Sequence, residues 1–322
     1  MTDTPHSAAT VAPAAPKARR TKREIIWRGL KKAPLSAWFG MIVIFAYLFV
    51  AIFAPLIAPH GESEVFPIPY DTWKLTFVWV HIVGKIYIPV WAYLDPAKEF
   101  FFGTDQLGRD MLSRLIYGAR NTIGIAVATT FLAFAIGGGL GLLAAIKRGW
   151  IDQILSRVVD ALMAIPTLIF ALMLLSIFGS SVTNLILVIA ALDSTRVFRL
   201  SRAVGMNVVV MDYVEAARLR GEKIGWIMTR EILPNVLPPL VAEFGLRFCF
   251  VFLTISALSF LGVGIQPPTA DWGSMVRENA TLITYGDVTP LLPAASIALL
   301  TVAVNFVVDW FLHKTSGLRD EH

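Results

Sequence analysis

The chain has 322 residues, of which 56% are hydrophobic and 16% charged, and its mean hydropathy is +0.66. So little charge, against about a quarter in soluble domains, excludes an ordinary soluble globular protein and points to the membrane. The net charge of +5 does not make a nucleic-acid binder, because the basic residues border apolar runs and no basic-aromatic recognition motif occurs.

Met1 to Pro16 is rich in Ala, Pro and Thr and predicts disorder, whereas Lys17 to Lys32 is strongly basic. Ile25, Ile26, Trp27 and Leu30 give that basic stretch an interfacial face, drawn to anionic lipid at about 1 kcal/mol per basic residue. Ser36 to Ala58 follows with 23 residues and no charge. That exceeds the roughly 7 to 15 apolar residues of a signal peptide and suits a retained membrane anchor. Between Gly61 and Phe100 an outer segment carries Tyr70, Trp73, Phe77, Trp79, Tyr87, Trp91 and Tyr93. These aromatics read as headgroup anchors, with contact to a binding protein as the competing reading.

From Phe102-Gly103-Thr104-Asp105-Gln106-Leu107-Gly108-Arg109-Asp110-Met111 the chain runs to Arg120, with Leu107, Met111 and Leu115 at helical spacing. A surface helix is expected there, leading into a second uncharged span, Asn121 to Ile146. Gly137 and Gly141 on that span form a small-xxx-small face for close helix approach. The next uncharged stretch is too long for one span and breaks near Gly179-Ser180-Ser181. It predicts spans of about Ala161 to Phe178 and Val182 to Val204, the second carrying Asp193 and Arg196 as an i, i+3 pair near the membrane surface. Spans of about Leu237 to Gly262 and Thr289 to Leu312 complete six.

Between the fourth and fifth spans lies a hydrophilic loop over about 199–235. Asp212 and Glu215 have the spacing of a capping box, Tyr213 to Arg220 reads as two helical turns of roughly 12 Å, and Gly221 ends them. A second helix is expected from about Glu222, stopped by Pro234. Lys and Arg orient the whole: eight lie in residues 1–35, three in 147–157, six in 199–235 and two after Leu312, against six in 59–120 and one in 266–289. The positive-inside rule therefore places both termini and the 199–235 loop in the cytoplasm.

Glu215-Ala216-Ala217, Gly221 and Ile232-Leu233-Pro234 resemble the EAA loop of binding-protein-dependent ABC import permeases. The block from Gly103 to Asp110, Ser259-Phe260-Leu261-Gly262-Val263-Gly264-Ile265-Gln266-Pro267-Pro268 and Trp272-Gly273 are similar to the C-type subunit of dipeptide and oligopeptide permeases. Related nickel, glutathione and opine permeases look alike. The resemblance implies an all-α type I importer permease fold with six transmembrane helices in a bacterial inner membrane. It also implies a second homologous permease subunit as heterodimer partner, two cytoplasmic ATPase subunits that hold ATP and Mg, and a periplasmic solute-binding protein. The ATPase-coupling residues would be Glu215, Ala216, Ala217, Arg220, Gly221, Ile232, Leu233 and Pro234, the small Ala side chains suiting close packing in an ATPase groove. The chain divides accordingly into a cytoplasmic segment 1–35, a first helix with its long periplasmic loop over 36–120, a five-helix core over 121–312 and a tail over 313–322.

Three features depart from the family pattern. Arg220 stands where an aliphatic residue is usual, which calls for an acid in the ATPase groove or leaves Arg220 solvated. The outer segment is long. The family's Gly-Asp-Gly-Leu-Arg-Asp ending is replaced by Val308-Asp309-Trp310-Phe311, with Gly317-Leu318-Arg319-Asp320 only later.

Glu243 and Arg247 are four apart within a span, acid first, the better order for a helical pair. A charge at the bilayer centre costs about 2.5 to 3.5 kcal/mol, so the two either line the pathway or form a buried structural pair. No phosphate loop occurs, Gly137-Gly138-Gly139-Leu140-Gly141 lacks its Lys, and His6, His60, His81, His313 and His322 have no metal-ligand spacing. No catalytic site, metal site or cofactor is expected on this chain, and Cys249 implies no disulfide framework. An ion-coupled secondary transporter is the alternative class, but it should show paired repeats with interrupted helices, and none is visible.

Overall fold

The computed structural model describes residues 33–66, 77–81, 87–91 and 101–315. The basic N-terminal segment, Tyr70, Trp73, Tyr93, Gly317-Leu318-Arg319-Asp320 and the side chains of Phe77, Trp79, Tyr87 and Trp91 lie outside the described residues.

The first helix, α1 (Leu35–Ile57), matches the uncharged run that predicts it. In the segment that follows α1, β1 (Phe77–His81) pairs antiparallel with β2 (Tyr87–Trp91), Phe77 opposite Trp91 and His81 opposite Tyr87. This pair of strands is a small addition to a chain whose other described elements are helical, so the helical fold class stands. Both strands are built of β-branched and aromatic residues, and Pro89 is tolerated because every strand of a two-stranded ribbon is an edge.

α2 (Met111–Lys147) begins where the Asp110 carboxylate accepts the Leu112 and Ser113 N–H groups at 3.2 and 3.0 Å. The expected surface helix and second span are thus one 37-residue helix, and Leu107 is left exposed in the turn before it. At 1.5 Å per residue α2 is about 55 Å long, so it overshoots a hydrocarbon core of about 30 Å. The 147–157 segment is not a loop, and the span from Ala161 is not straight. Instead α3 (Gly149–Met163) meets α4 (Thr167–Phe178) at a bend of 88°. Pro166 sits at that bend, where it disfavours helical geometry at Ile165 and offers no N–H of its own.

α5 (Val182–Val209) starts on the Ser181 hydroxyl, which accepts the Asn184 N–H at 3.1 Å, just after Gly179 turns with φ +86°. Then come α6 (Asp212–Leu219), α7 (Ile224–Phe260), α8 (Trp272–Asn279), a 3-10 turn over Ala280–Tyr285, and α9 (Leu291–Thr315). Among the described residues four helices, α1, α2, α7 and α9, are long and apolar enough to cross a membrane, and the bent pair α3–α4 would make five. The 28-residue α5 is long enough, but Asp193, Arg196, Arg199 and Arg202 interrupt its apolar run.

The most extensive packing is between α2 and α5. A Cβ on Gly137 would lie 2.2 Å from the Ser194 carbonyl oxygen, and one on Gly141 2.6 Å from that of Phe198. Small residues therefore set this crossing, as expected where lipid-like surroundings leave van der Waals fit to drive association. A first core gathers Phe252, Ile255 and Leu258 of α7 with Trp272 and Met275 of α8 against α2. A second joins Leu142 and Ala145 of α2, Val209 of α5, Val214 and Ala217 of α6, and Ile227, Ile232 and Val236 of α7. The second core is the seat of the 199–235 loop.

Candidate functional site

Helix α6 leaves α5 through Met211 and returns to α7 through residues 220–223. Its entry is not a capping box: Met211 is the cap residue and no side chain bonds the free N–H groups. Asp212 and Glu215 lie inside the first turn, where their charge complements the positive end of the helix dipole. Its exit follows the expectation. Gly221 has φ +82°, its N–H donates to Arg218 O at 2.9 Å, and the Glu222 N–H donates to Ala217 O at 3.2 Å. That pair of bonds is a Schellman stop.

Beyond it, Pro234 does not end the second helix. Residues Ile227–Ile232 form a π turn, with the Leu233 N–H donating to Met228 O, and the coil runs on to Phe260. The widened turn accommodates the proline ring, which would otherwise strike the carbonyl one turn back and leave it without a donor. The loop's last residues are therefore the first turns of a membrane helix.

The residues expected to couple, and their neighbours, divide by face. Val214, Ala217, Ile227 and Ile232 are buried in the second core, and Leu233 is half-buried against it. Ala217 thus packs within its own chain and is not offered to a partner's groove. Glu215, Ala216, Arg220, Gly221 and Pro234 are exposed, together with Tyr213 and Leu219, the latter 83% exposed. Arg220 has neighbours inside the chain: its guanidinium is 3.8 Å from Glu231 and 5.9 Å from the centre of the Trp226 ring. Both contacts are at the surface, so they contribute little to stability.

Glu243 and Arg247 come together as the spacing predicts, with Arg247 Nε 2.7 Å from Glu243 Oε1. Arg247 also meets Asp193 across the α5–α7 contact, Nη1 to Oδ1 at 3.6 Å, and its guanidinium lies 4.6 Å from the Phe250 ring centre. Asp193 is buried and does not pair with Arg196. Arg196 is exposed and donates to Thr167 Oγ1 of α4 at 3.3 Å. The local i, i+3 spacing is overridden by a cross-helix partner that spacing cannot reveal.

At the opposite end of the molecule is a polar cluster that sequence reasoning missed. Arg109 Nε donates to Asp105 Oδ2 at 2.6 Å and its Nη2 to Glu278 Oε2 at 2.6 Å. The Arg114 guanidinium, 1% exposed, donates to the same Glu278 oxygen at 3.1 Å. The Glu62 carboxylate accepts from Asn121 Nδ2 and the Ala270 N–H, both at 3.2 Å. Asp271 caps α8 by accepting the Ser274 N–H at 2.8 Å and accepts the Thr122 hydroxyl at 2.9 Å. Burial pushes the Asp271 carboxyl up, and those hydrogen bonds oppose the rise. The Gly103–Asp110 block, the start of α2 and α8 are thereby locked into one cap. The conspicuous motif at Asp105 and Arg109 is its only advance signal.

Residues 137–314 match the family described as binding-protein-dependent transport system inner membrane component, and residues 23–74 match the N-terminal TM domain of oligopeptide transport permease C. The dipeptide transport system permease protein DppC of Alkalihalophilus pseudofirmus is 32% identical over 91% of this chain and 87% of its own. The di/tripeptide transport system permease protein DppC of Pseudomonas aeruginosa is 34% identical over 87% and 85%. The glutathione transport system permease protein GsiD of Pectobacterium atrosepticum is 28% identical over 94% and 91%. The chain belongs to the binding-protein-dependent transport system inner membrane component family and is a permease subunit of an ABC importer.

Proposed function

We propose that this subunit pairs with a second, homologous permease subunit to form the pathway for dipeptides or oligopeptides. Solute would arrive from a periplasmic binding protein, and two cytoplasmic ATPase subunits, holding ATP and Mg, would drive the cycle. The chain crosses the inner membrane six times in this reading, with α5 as the fourth span and the α3–α4 pair as the third. Both termini and α6 face the cytoplasm, as the Lys and Arg distribution requires.

One observation carries the coupling role. α6 has no free-standing connection: its buried face is clamped between the ends of α5 and α7. A push on its exposed face therefore moves two membrane helices with it. The outward row of Tyr213, Ala216, Leu219 and Arg220 is the surface that would meet the ATPase.

The substrate is tested by uptake in a strain lacking this chain, with and without its restoration. Restoration should return ATP-dependent accumulation of labelled di- and tripeptides. Accumulation of glutathione, a nickel chelate or an opine in their place would keep the machinery and replace the solute. Accumulation that follows an ion gradient and ignores ATP would contradict the reading.

A further inference from the structure

The four charges within the membrane part of α5 and α7 are arranged for exchange. Asp193 on α5 reaches across to Arg247 on α7 at 3.6 Å. Each of the two also has a substitute on its own helix. For Arg247 these are Glu243, one turn before it at 2.7 Å, and the Phe250 ring, one turn after it at 4.6 Å. For Asp193 the substitute is Arg196, three residues on along α5, now held by Thr167 of α4 at 3.3 Å. The cross-helix contact is loose: Arg247 Nη1 and Asp193 Oδ2 are buried without a hydrogen bond among the described residues.

We propose that these residues form a charge-exchange latch between the two helices that flank the coupling loop, resting on the coupling role proposed above for α6. In the present state Asp193 is held by Arg247. When α5 and α7 part, Asp193 turns to Arg196 and Arg247 stays with Glu243 and Phe250, so each helix separates as a neutral unit. No bare charge is left in the membrane, which is the outcome that makes a simple buried ion pair costly to open. Asp193 lies about 24 Å of helix from the end of α5 and Arg247 about 35 Å from the start of α7 at 1.5 Å per residue, so helices rigid over those distances can deliver the motion of α6 to the latch. Arg196 and Glu243 are positioning residues here, since they act by receiving a partner.

The test uses the complex copurified through this chain, with spin labels at Leu187 and Leu253, both exposed on their helices. Distances are measured without nucleotide and with Mg-ATP plus vanadate, alongside ATP hydrolysis. The parent should show a nucleotide-dependent change in distance. Arg196→Gln and Glu243→Gln should each hold the nucleotide-free distance and lower hydrolysis by at least about fivefold, the small end of usual coupling factors. Asp193→Asn, Arg196→Gln, Glu243→Gln and Arg247→Gln together, which remove the latch and leave none of its charges unpaired, should hydrolyse ATP no slower than the parent. If both single variants move and hydrolyse as the parent does, the latch is overturned. A parent that hydrolyses ATP with no change in distance also overturns it and leaves the coupling loop standing. A complex without ATPase, or without ATP hydrolysis, removes the coupling reading and the latch with it.

Discussion

Gly221 shows how one residue sets the end of α6. Its φ of +82° costs an L-residue roughly 1 to 2 kcal/mol, and more for a β-branched one, although a Cβ there would meet nothing within 4 Å. Strain, not collision, is the penalty. Gly221→Val should therefore leave the subunit in the membrane, loosen the last turn of α6, and reduce both ATPase association and uptake by at least about tenfold, as 1.4 kcal/mol implies. Pull-down and uptake on the same membranes read the two effects. Glu278 makes the opposite case at the other end, where it is the shared acceptor of two arginines. Glu278→Ala leaves those cations with fewer counter-charges and should lower stability by about 3 kcal/mol, seen as a lower melting midpoint of the detergent-solubilised protein. Glu278→Gln should recover part of the loss by restoring an acceptor.

At the scale of elements, the glycines of α2 separate packing from propensity. Gly137 faces the Ser194 carbonyl, whereas a Cβ on Gly139 would meet nothing within 4 Å. Gly137→Val should force α2 off α5 and cut the yield of folded subunit, while Gly139→Ala should be tolerated or stabilise by up to about 1 kcal/mol. Thermal midpoints of the two variants give the comparison. The existence of the helices was legible, because apolar runs mark α1, α2, α7 and α9 and Gly221 states a stop, but α2 and α7 begin ten or more residues before the runs that announce them. Two local rules misled. Pro234 read as a terminator because a π turn has no sequence signature comparable to proline's own, and Asp212 read as a cap although the backbone places it one residue inside. The Asp193–Arg247 contact and the Arg109–Glu278 cap were not legible, since they join residues far apart in the chain and only the folded packing brings them together.

In the proposed topology the whole molecule presents opposite ends to the two sides of the membrane. A labelling site at Ser63, exposed beside the outer cap, should react from the periplasm, and one at Glu222 only from the cytoplasm. The reverse pattern would invert the topology drawn from the basic residues. The larger claim is that the exposed face of α6 is where a separate ATPase drives the spans. Its most direct test is a photoreactive residue in place of Leu219, which is 83% exposed at the end of that helix. On illumination of native membranes it should capture an ATP-binding subunit, and a matching probe at Ser63 should not. Capture of lipid alone from Leu219, with the ATPase instead caught from Ser63, would contradict the account.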